Sequence, residues 1–143
     1  MAEPLLIGRR EYLDFPEWDV RHVRVKVDTG AFRSALDVAD YEVSERECGQ
    51  SVVRMRLALN RRHPERITIV ETPVLRTVVV SSSGGTCQER PLIEALVRLG
   101  PVEKRIRLTI ANRSQMRYRM ILGRDALMGS FIVDVREKYL LRQ

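Results

Sequence analysis

Hydrophobic residues along this chain recur mostly at every second position. Val23, Val25 and Val27 alternate with Arg24 and Lys26. Val53, Met55, Leu57 and Leu59 alternate with Arg54, Arg56 and Ala58, and Ile106, Leu108 and Ile110 with Arg105, Arg107 and Thr109. A period of two sends successive side chains to opposite faces, so each run predicts a half-buried strand. Turn-forming residues break the runs at short intervals: Gly30, Cys48-Gly49, His63-Pro64, Ser83-Gly84-Gly85, Gly100-Pro101, Asn112 and Gly129. Many short strands punctuated in this way predict an all-β sandwich or barrel. One short helix is expected at about 124–128, ended by Gly129.

The stretch 73–92 departs from a simple meander. A β-prone run, Val74-Leu75-Arg76-Thr77-Val78-Val79-Val80, meets Ser81-Ser82-Ser83-Gly84-Gly85, and a second extended run returns from Gln88 to Leu99. This predicts a long hairpin whose glycine tip can take the positive φ angles of a tight turn.

The length of 143 residues fits a single domain, 1–143. No signal peptide or apolar stretch of roughly 18 residues is legible, and Cys48 and Cys87 are far apart without a spacing motif. A reduced, cytoplasmic protein is the expectation, although the two thiols could pair. Charge is unevenly spread. Residues 1–50 carry seven basic and eleven acidic side chains, and residues 51–143 carry eighteen and eight. Of the 25 basic residues only Lys26, Lys104 and Lys138 are lysines. Arginine forks grip carboxylates and phosphates in pairs of hydrogen bonds, so an anionic partner is expected unless the arginines form only a solvated face. Nucleic acid is disfavoured, because the eight Phe, Tyr and Trp residues are scarce on the basic strands, where stacking platforms would be needed.

Candidate chemistry begins where the strand 23–27 runs into Asp28-Thr29-Gly30-Ala31. A carboxylate at the end of an apolar strand is poised for acid–base work, and Gly30 admits close approach of a substrate backbone. The same residues also suit an Asx turn that merely closes a strand. Some ninety residues later a short apolar strand ends in Leu122-Gly123-Arg124 and leads into the expected helix. No HExxH, no His or Cys pair at ligand spacing and no GxxxxGK[ST] occurs; His22 and His63 stand alone. No cofactor or metal is therefore expected.

These two elements, flanking a glycine-tipped hairpin, resemble the retropepsins, in which a strand ends in DTGA, a flap hairpin follows, and an [IL]-[IL]-G-R-x-x-L segment precedes a short helix. A closer likeness covers nearly the whole chain. Ile7-Gly8-Arg9-Arg10-Glu11-Tyr12, Pro16-Glu17-Trp18, Lys26 to Ala31, Glu89-Arg90-Pro91, Leu108 to Arg113 and Met116 to Arg124 resemble the bacterial RimB-like group, also labelled ATP-dependent zinc proteases. That group is associated with RimK-type glutamate ligases, which add glutamate tails to a ribosomal protein. One departure is clear: Phe32-Arg33-Ser34 stands where retroviral relatives place Asp and the bacterial group often has Arg-Thr-Ser. Arg124 then needs another partner, either main-chain carbonyls or a carboxylate across a dimer.

The resemblance implies a closed acid-protease barrel protomer with one flap and one short C-terminal helix. It implies an aspartic peptidase in which Asp28, supported by Thr29 and Gly30, meets its symmetry mate in a homodimer, because one carboxylate cannot run the reaction alone. The terminal strands, around 5–7, 131–135 and 139–141, would form the interface. Leu122, Gly123 and Arg124 would support the catalytic turn, and Ala31 with the flap tip Ser83, Gly84 and Gly85 would meet substrate. A glutamate-rich peptide or tailed protein would give the arginines a purpose, with Arg33, Arg54, Arg56, Arg76 and Arg90 as candidates. Two alternatives stay open: a catalytically silent adaptor or regulator of a RimK-type ligase, and a basic nucleic-acid-binding barrel.

Overall fold

In a computed structural model of the protein, residues 3–59, 63, 65–81, 84–112 and 118–141 are described. The expected turn at Pro64 and the flap residues Ser82 and Ser83 lie outside them, as do residues 113–117 of the likeness noted above.

Alternation along the chain becomes a closed barrel. Strands β2 (Arg10–Phe15), β3 (Val20–Val27), β4 (Ser34–Asp37), β9 (Cys87–Leu99), β10 (Val102–Ala111) and β11 (Met120–Leu122) form it in the order β10-β4-β11-β3-β2-β9. Pairing of β9 with β10 closes the ring, from Leu99↔Val102 to Leu92↔Thr109. Val23, Val25, Leu108 and Ile110, selected by the period of two, face inward beside Leu36, Ile93 and Met120, and all seven are at most 1 % exposed. Each such side chain contributes about 1.5–3 kcal/mol by leaving water.

β11 lies between β3 and β4, although its sequence is far from both. It runs parallel to β3, with Met120↔Val25 and Leu122↔Val27, and antiparallel to β4, with Ile121↔Ala35. This crossing brings the end of the β3 strand and the residues after β11 to one rim of the barrel.

β9 is long because it serves two bodies. Its first half pairs with β8 (Arg76–Ser81) as the expected hairpin, from Arg76↔Leu92 to Ser81↔Cys87. Cys87, Gln88 and Glu89 are exposed there, and continuous burial begins at Arg90 as the strand enters the barrel. Gly85, at φ 82°, makes the turn. A separate three-stranded sheet is formed by β5 (Asp40–Glu45), β6 (Ser51–Leu57) and β7 (Thr68–Pro73). At the ends of the chain, β1 (Leu5–Gly8) runs parallel to β12 (Phe131–Asp134). The expected helix is α1 (Arg124–Leu127), followed by Gly129 at φ 78°. No helix among the described residues is long and apolar enough to cross a membrane.

Candidate active site

The Asp28-Thr29-Gly30 turn is an extension of the β3–β11 ladder. Asp28 donates its N–H to the Leu122 carbonyl at 2.8 Å, then the chain leaves the sheet. The Asp28 side chain accepts the Gly30 N–H through Oδ1 at 3.0 Å, and its carbonyl accepts the Ala31 N–H at 3.2 Å. The carboxylate is thus half-buried and anchored by one oxygen, while Thr29 and Gly30 are exposed beside it. The Asx turn expected for these residues is formed, and it leaves Oδ2 of the carboxylate outside that bond.

The segment after β11 is threaded onto this turn. Gly123 donates its N–H to Ser34 Oγ at 3.0 Å, and the next two amides go to the Ala31 carbonyl at 2.8 Å and the Phe32 carbonyl at 2.9 Å. A Cβ on Gly123 would lie 2.5 Å from the Arg33 carbonyl carbon and oxygen. Gly123 has an ordinary extended φ of −92°, so it is the space, not the backbone angle, that demands glycine. Arg124 donates through Nη1 to the Thr29 carbonyl at 2.9 Å. That supplies the main-chain partner its departure from the family pattern required. Phe32, half exposed, has the guanidinium carbons of Arg33 and Arg124 5.7 and 5.9 Å from its ring centroid, within cation–π range.

Asp28 opens onto a cleft of about 550 Å³. Ala31, Phe32 and Arg33 of the turn form one end, and Val79, Val80 and Ser81 of the flap strand another. Arg90 and Asp37 line it from β9 and β4, with Thr109 and Ala111 of β10. Asp37 is a second carboxylate here, yet it is committed elsewhere. It is 2 % exposed, its Oδ2 accepts from Arg119 Nη1 at 2.8 Å, and its N–H donates to the Arg119 carbonyl at 2.7 Å. Arg90, itself 4 % exposed, donates through Nε to Gln88 Oε1 at 3.0 Å.

The structure therefore brings together Asp28, Ala31, Arg33 and Arg90 around one cleft. Thr29 and Gly30 belong to the turn that carries Asp28, Leu122 and Arg124 bond to that turn, and Gly123 bonds to Ser34 just beyond it. Other candidates stand apart. Arg54 and Arg56 face outward from β6, Arg54 in register between Glu42 and Glu71, and Arg56 ion-paired with Asp40 at 3.2 Å. Arg76 is exposed at the start of β8, and Gly84 and Gly85 are exposed at the hairpin turn; none of the three lines the cleft. Phe32, Asp37, Val79, Val80 and Thr109 were not legible as site residues. The one available signal was Asp37, a charged residue inside the apolar run Ala35 to Val38. Among the described residues, no group of three or more His, Cys, Asp or Glu is arranged to hold a metal ion.

A closed six-stranded barrel, a DTG turn at the end of β3 and a hairpin whose strand lines the cleft define a retropepsin-like fold. The chain belongs to the RimB-like family, described as retropepsin-like aspartic endopeptidase RimB, whose pattern matches residues 6–143. A probable alpha-L-glutamate ligase of Shewanella halifaxensis is 31% identical over 138 residues, a match covering 96% of this chain and 30% of the relative. One of Desulfotalea psychrophila is 31% identical over 134 residues, covering 90% of this chain and 28% of the relative. The chain thus spans less than a third of the curated relatives it matches. In fold it is similar to the crystal structure of Lpg0085, a Legionella pneumophila protein of unknown function. That superposition has a TM-score of 0.81 at 20% identity and covers 98% of this chain and 100% of the other.

Proposed function

We propose that the protein is an aspartic peptidase that works as a two-fold homodimer in the cytoplasm, each single-domain protomer giving one Asp28. The observation that carries this reading is the anchored, half-buried Asp28 facing a cleft that the hairpin strand residues Val79, Val80 and Ser81 also line. Two carboxylates about 3 Å apart share one proton, because both cannot ionise easily at that separation. The ionised one takes a proton from water as the water oxygen attacks the scissile carbonyl carbon, and the protonated one gives its proton to the carbonyl oxygen. Collapse of the tetrahedral diol breaks the C–N bond, and the departing amine takes up a proton. Asp37 is engaged by Arg119, which supports the reading that the second carboxylate is the Asp28 of another copy of the chain. Exposed Leu6 and Ile132, register partners on β1 and β12, and nearby Val135 offer an apolar face for that copy.

The substrate is an acidic peptide or glutamate-tailed protein. Arg33 and Arg90 line the cleft and can hold side-chain carboxylates by paired hydrogen bonds. The naming of relatives as probable alpha-L-glutamate ligases supports a link to such tails. It also favours a second reading, a silent retropepsin-like adaptor for a RimK-type ligase. A mass-spectrometric cleavage assay separates the two. Wild type and Asp28→Asn are compared, with chelator present, on an oligoglutamate-tailed peptide and a neutral control. Cleavage by wild type alone, favouring the acidic peptide, supports the peptidase. No cleavage of either peptide by a confirmed dimer supports the adaptor.

A further inference from the structure

Residues 8–12, from the end of β1 into β2, bind the C-terminal segment 135–141 one residue after another. Gly8 admits it: a Cβ there would lie 2.6 Å from the Glu137 carbonyl oxygen and 2.7 Å from Lys138 Cα, both rigid backbone. Arg9 donates its N–H to the Glu137 carbonyl at 2.8 Å, and through Nη1 to the carbonyls of Val135 and Arg136 at 3.2 and 3.1 Å. The Arg10 carbonyl accepts the Tyr139 N–H at 2.8 Å. Tyr12 stacks on Tyr139 with centroids 4.7 Å apart, and Arg24 donates to the Tyr139 hydroxyl at 3.2 Å.

The centre of this arrangement is Glu11, whose side chain is fully buried. Its Oε2 accepts the N–H of Gly8 at 2.7 Å and of Leu140 at 2.9 Å, and its Oε1 accepts the N–H of Leu141 at 3.1 Å. A buried carboxylate is tolerable only with such donors, and here they come from two distant parts of the chain. One donor ends β1 and two lie past β12, so the same side chain ties both terminal strands. Neither the cleft nor the catalytic turn uses it.

We infer that Glu11 is a positioning residue: its carboxylate latches segment 135–141 onto residues 8–12 and so holds β1 and β12 as a preformed pair for a second copy of the chain. The second clause rests on the dimer reading above; the latch does not. With the latch closed, the apolar face of Leu6, Ile132 and Val135 has one shape and self-association loses little conformational freedom. With it open, the pair frays and that freedom must be given up on association.

Glu11→Gln tests this, because an amide NH2 in place of either oxygen sets a donor against a backbone donor. Gly8→Ala presses on the latch from its other side without removing the charge. Amide exchange of the full chain is read in 137–141, in β1 and β12, and in the β9–β10 core as a fold control. Sedimentation gives the dimer dissociation constant. The expected result in both variants is exchange raised roughly ten-fold or more in 137–141 and in β1 and β12, an unchanged core, and a comparably weaker dimer. Raising the protein concentration restores the wild-type dimer fraction. Unchanged exchange in 137–141, or an opened segment with β1, β12 and dimer affinity at wild-type values, overturns the inference. Should Glu11→Gln unfold the core, Gly8→Ala decides by the same readouts. A wild-type chain that stays monomeric sinks the dimer reading instead, and the exchange data still judge the latch.

Discussion

Gly123 lies so close to Arg33 that a single methyl group on its Cα would sit 2.5 Å from the Arg33 carbonyl carbon. Two chain segments ninety residues apart meet here backbone to backbone, and the Asp28 turn is held from behind by that meeting. Gly123→Ala must push the 31–34 loop outward. Forced overpacking costs typically about 1–3 kcal/mol, and the upper end is expected because both neighbours are main chain. Thermal unfolding measures the loss, and peptidase activity should fall further than stability does.

Arg124 has a different part. Its guanidinium holds the Thr29 carbonyl and flanks the Phe32 ring, while its backbone bond to Ala31 needs no side chain. Arg124→Met should cost about 1.5 kcal/mol in stability, the low end for a hydrogen bond made by a charged group, because this bond is exposed. It should also lower kcat by more than that loss explains, through a loosened Asp28 turn. Unfolding curves beside steady-state kinetics give the comparison.

Arg119 guards the other carboxylate in the cleft. Removing it by Arg119→Met leaves Asp37, almost wholly buried, without the guanidinium that faces it. Loss of one partner of a buried pair costs on the order of 3 kcal/mol, and the double change Arg119→Met with Asp37→Asn should recover most of it. Denaturant unfolding of the single and double variants reads the coupling.

Arg105 meets Glu17 with two hydrogen bonds of 2.9 Å and holds the Glu17 carboxyl below its ordinary value of 4.5. The folded value is the lower one. The contribution is therefore complete above the unfolded value and disappears as pH falls through the folded one. A melting-temperature series against pH should show wild type and Glu17→Gln separated near neutrality and converging on the acid side.

Acidic-substrate recognition makes a graded forecast. Neutralising Arg33 or Arg90, which line the cleft, should raise KM on an oligoglutamate peptide by roughly ten-fold, the worth of a lost charge-assisted bond. Neutralising Arg54 or Arg56, which face acidic strand neighbours outside it, should change KM far less. Equal KM values for all four variants and wild type would remove the idea.

Much of the barrel was legible because half-buried strands write their burial into a period of two. The runs at Val23, Val53 and Ile106 each became a strand with the expected face inward. The DTG turn and the Leu122-Gly123-Arg124 segment were legible because few residue types serve a close backbone meeting. Alternation says which side chains point together but not which sheet they join. That is why Arg54 and Arg56 read as neighbours of the cleft, yet stand on the outer face of a separate sheet. Asp37 left a trace as a charge inside an apolar run, but its pairing with Arg119 did not, because a long-range ion pair leaves no local pattern. Residues 131–135 and 139–141 were expected as interface strands, but the main-chain bonds that tie 137–141 to residues 9–11 of the same chain were not legible, because main-chain bonding has no sequence signature.

The central claim is that one active site needs Asp28 from two chains, and subunit mixing tests it most directly. A fixed amount of wild type is titrated with increasing Asp28→Asn protein under conditions of free subunit exchange, and peptide cleavage is followed. If the site is shared, wild-type chains are drawn into mixed dimers with a single aspartate, and activity falls toward zero as the inactive chain reaches excess. Activity that stays constant through the titration would mean that each protomer works alone, and would contradict the account.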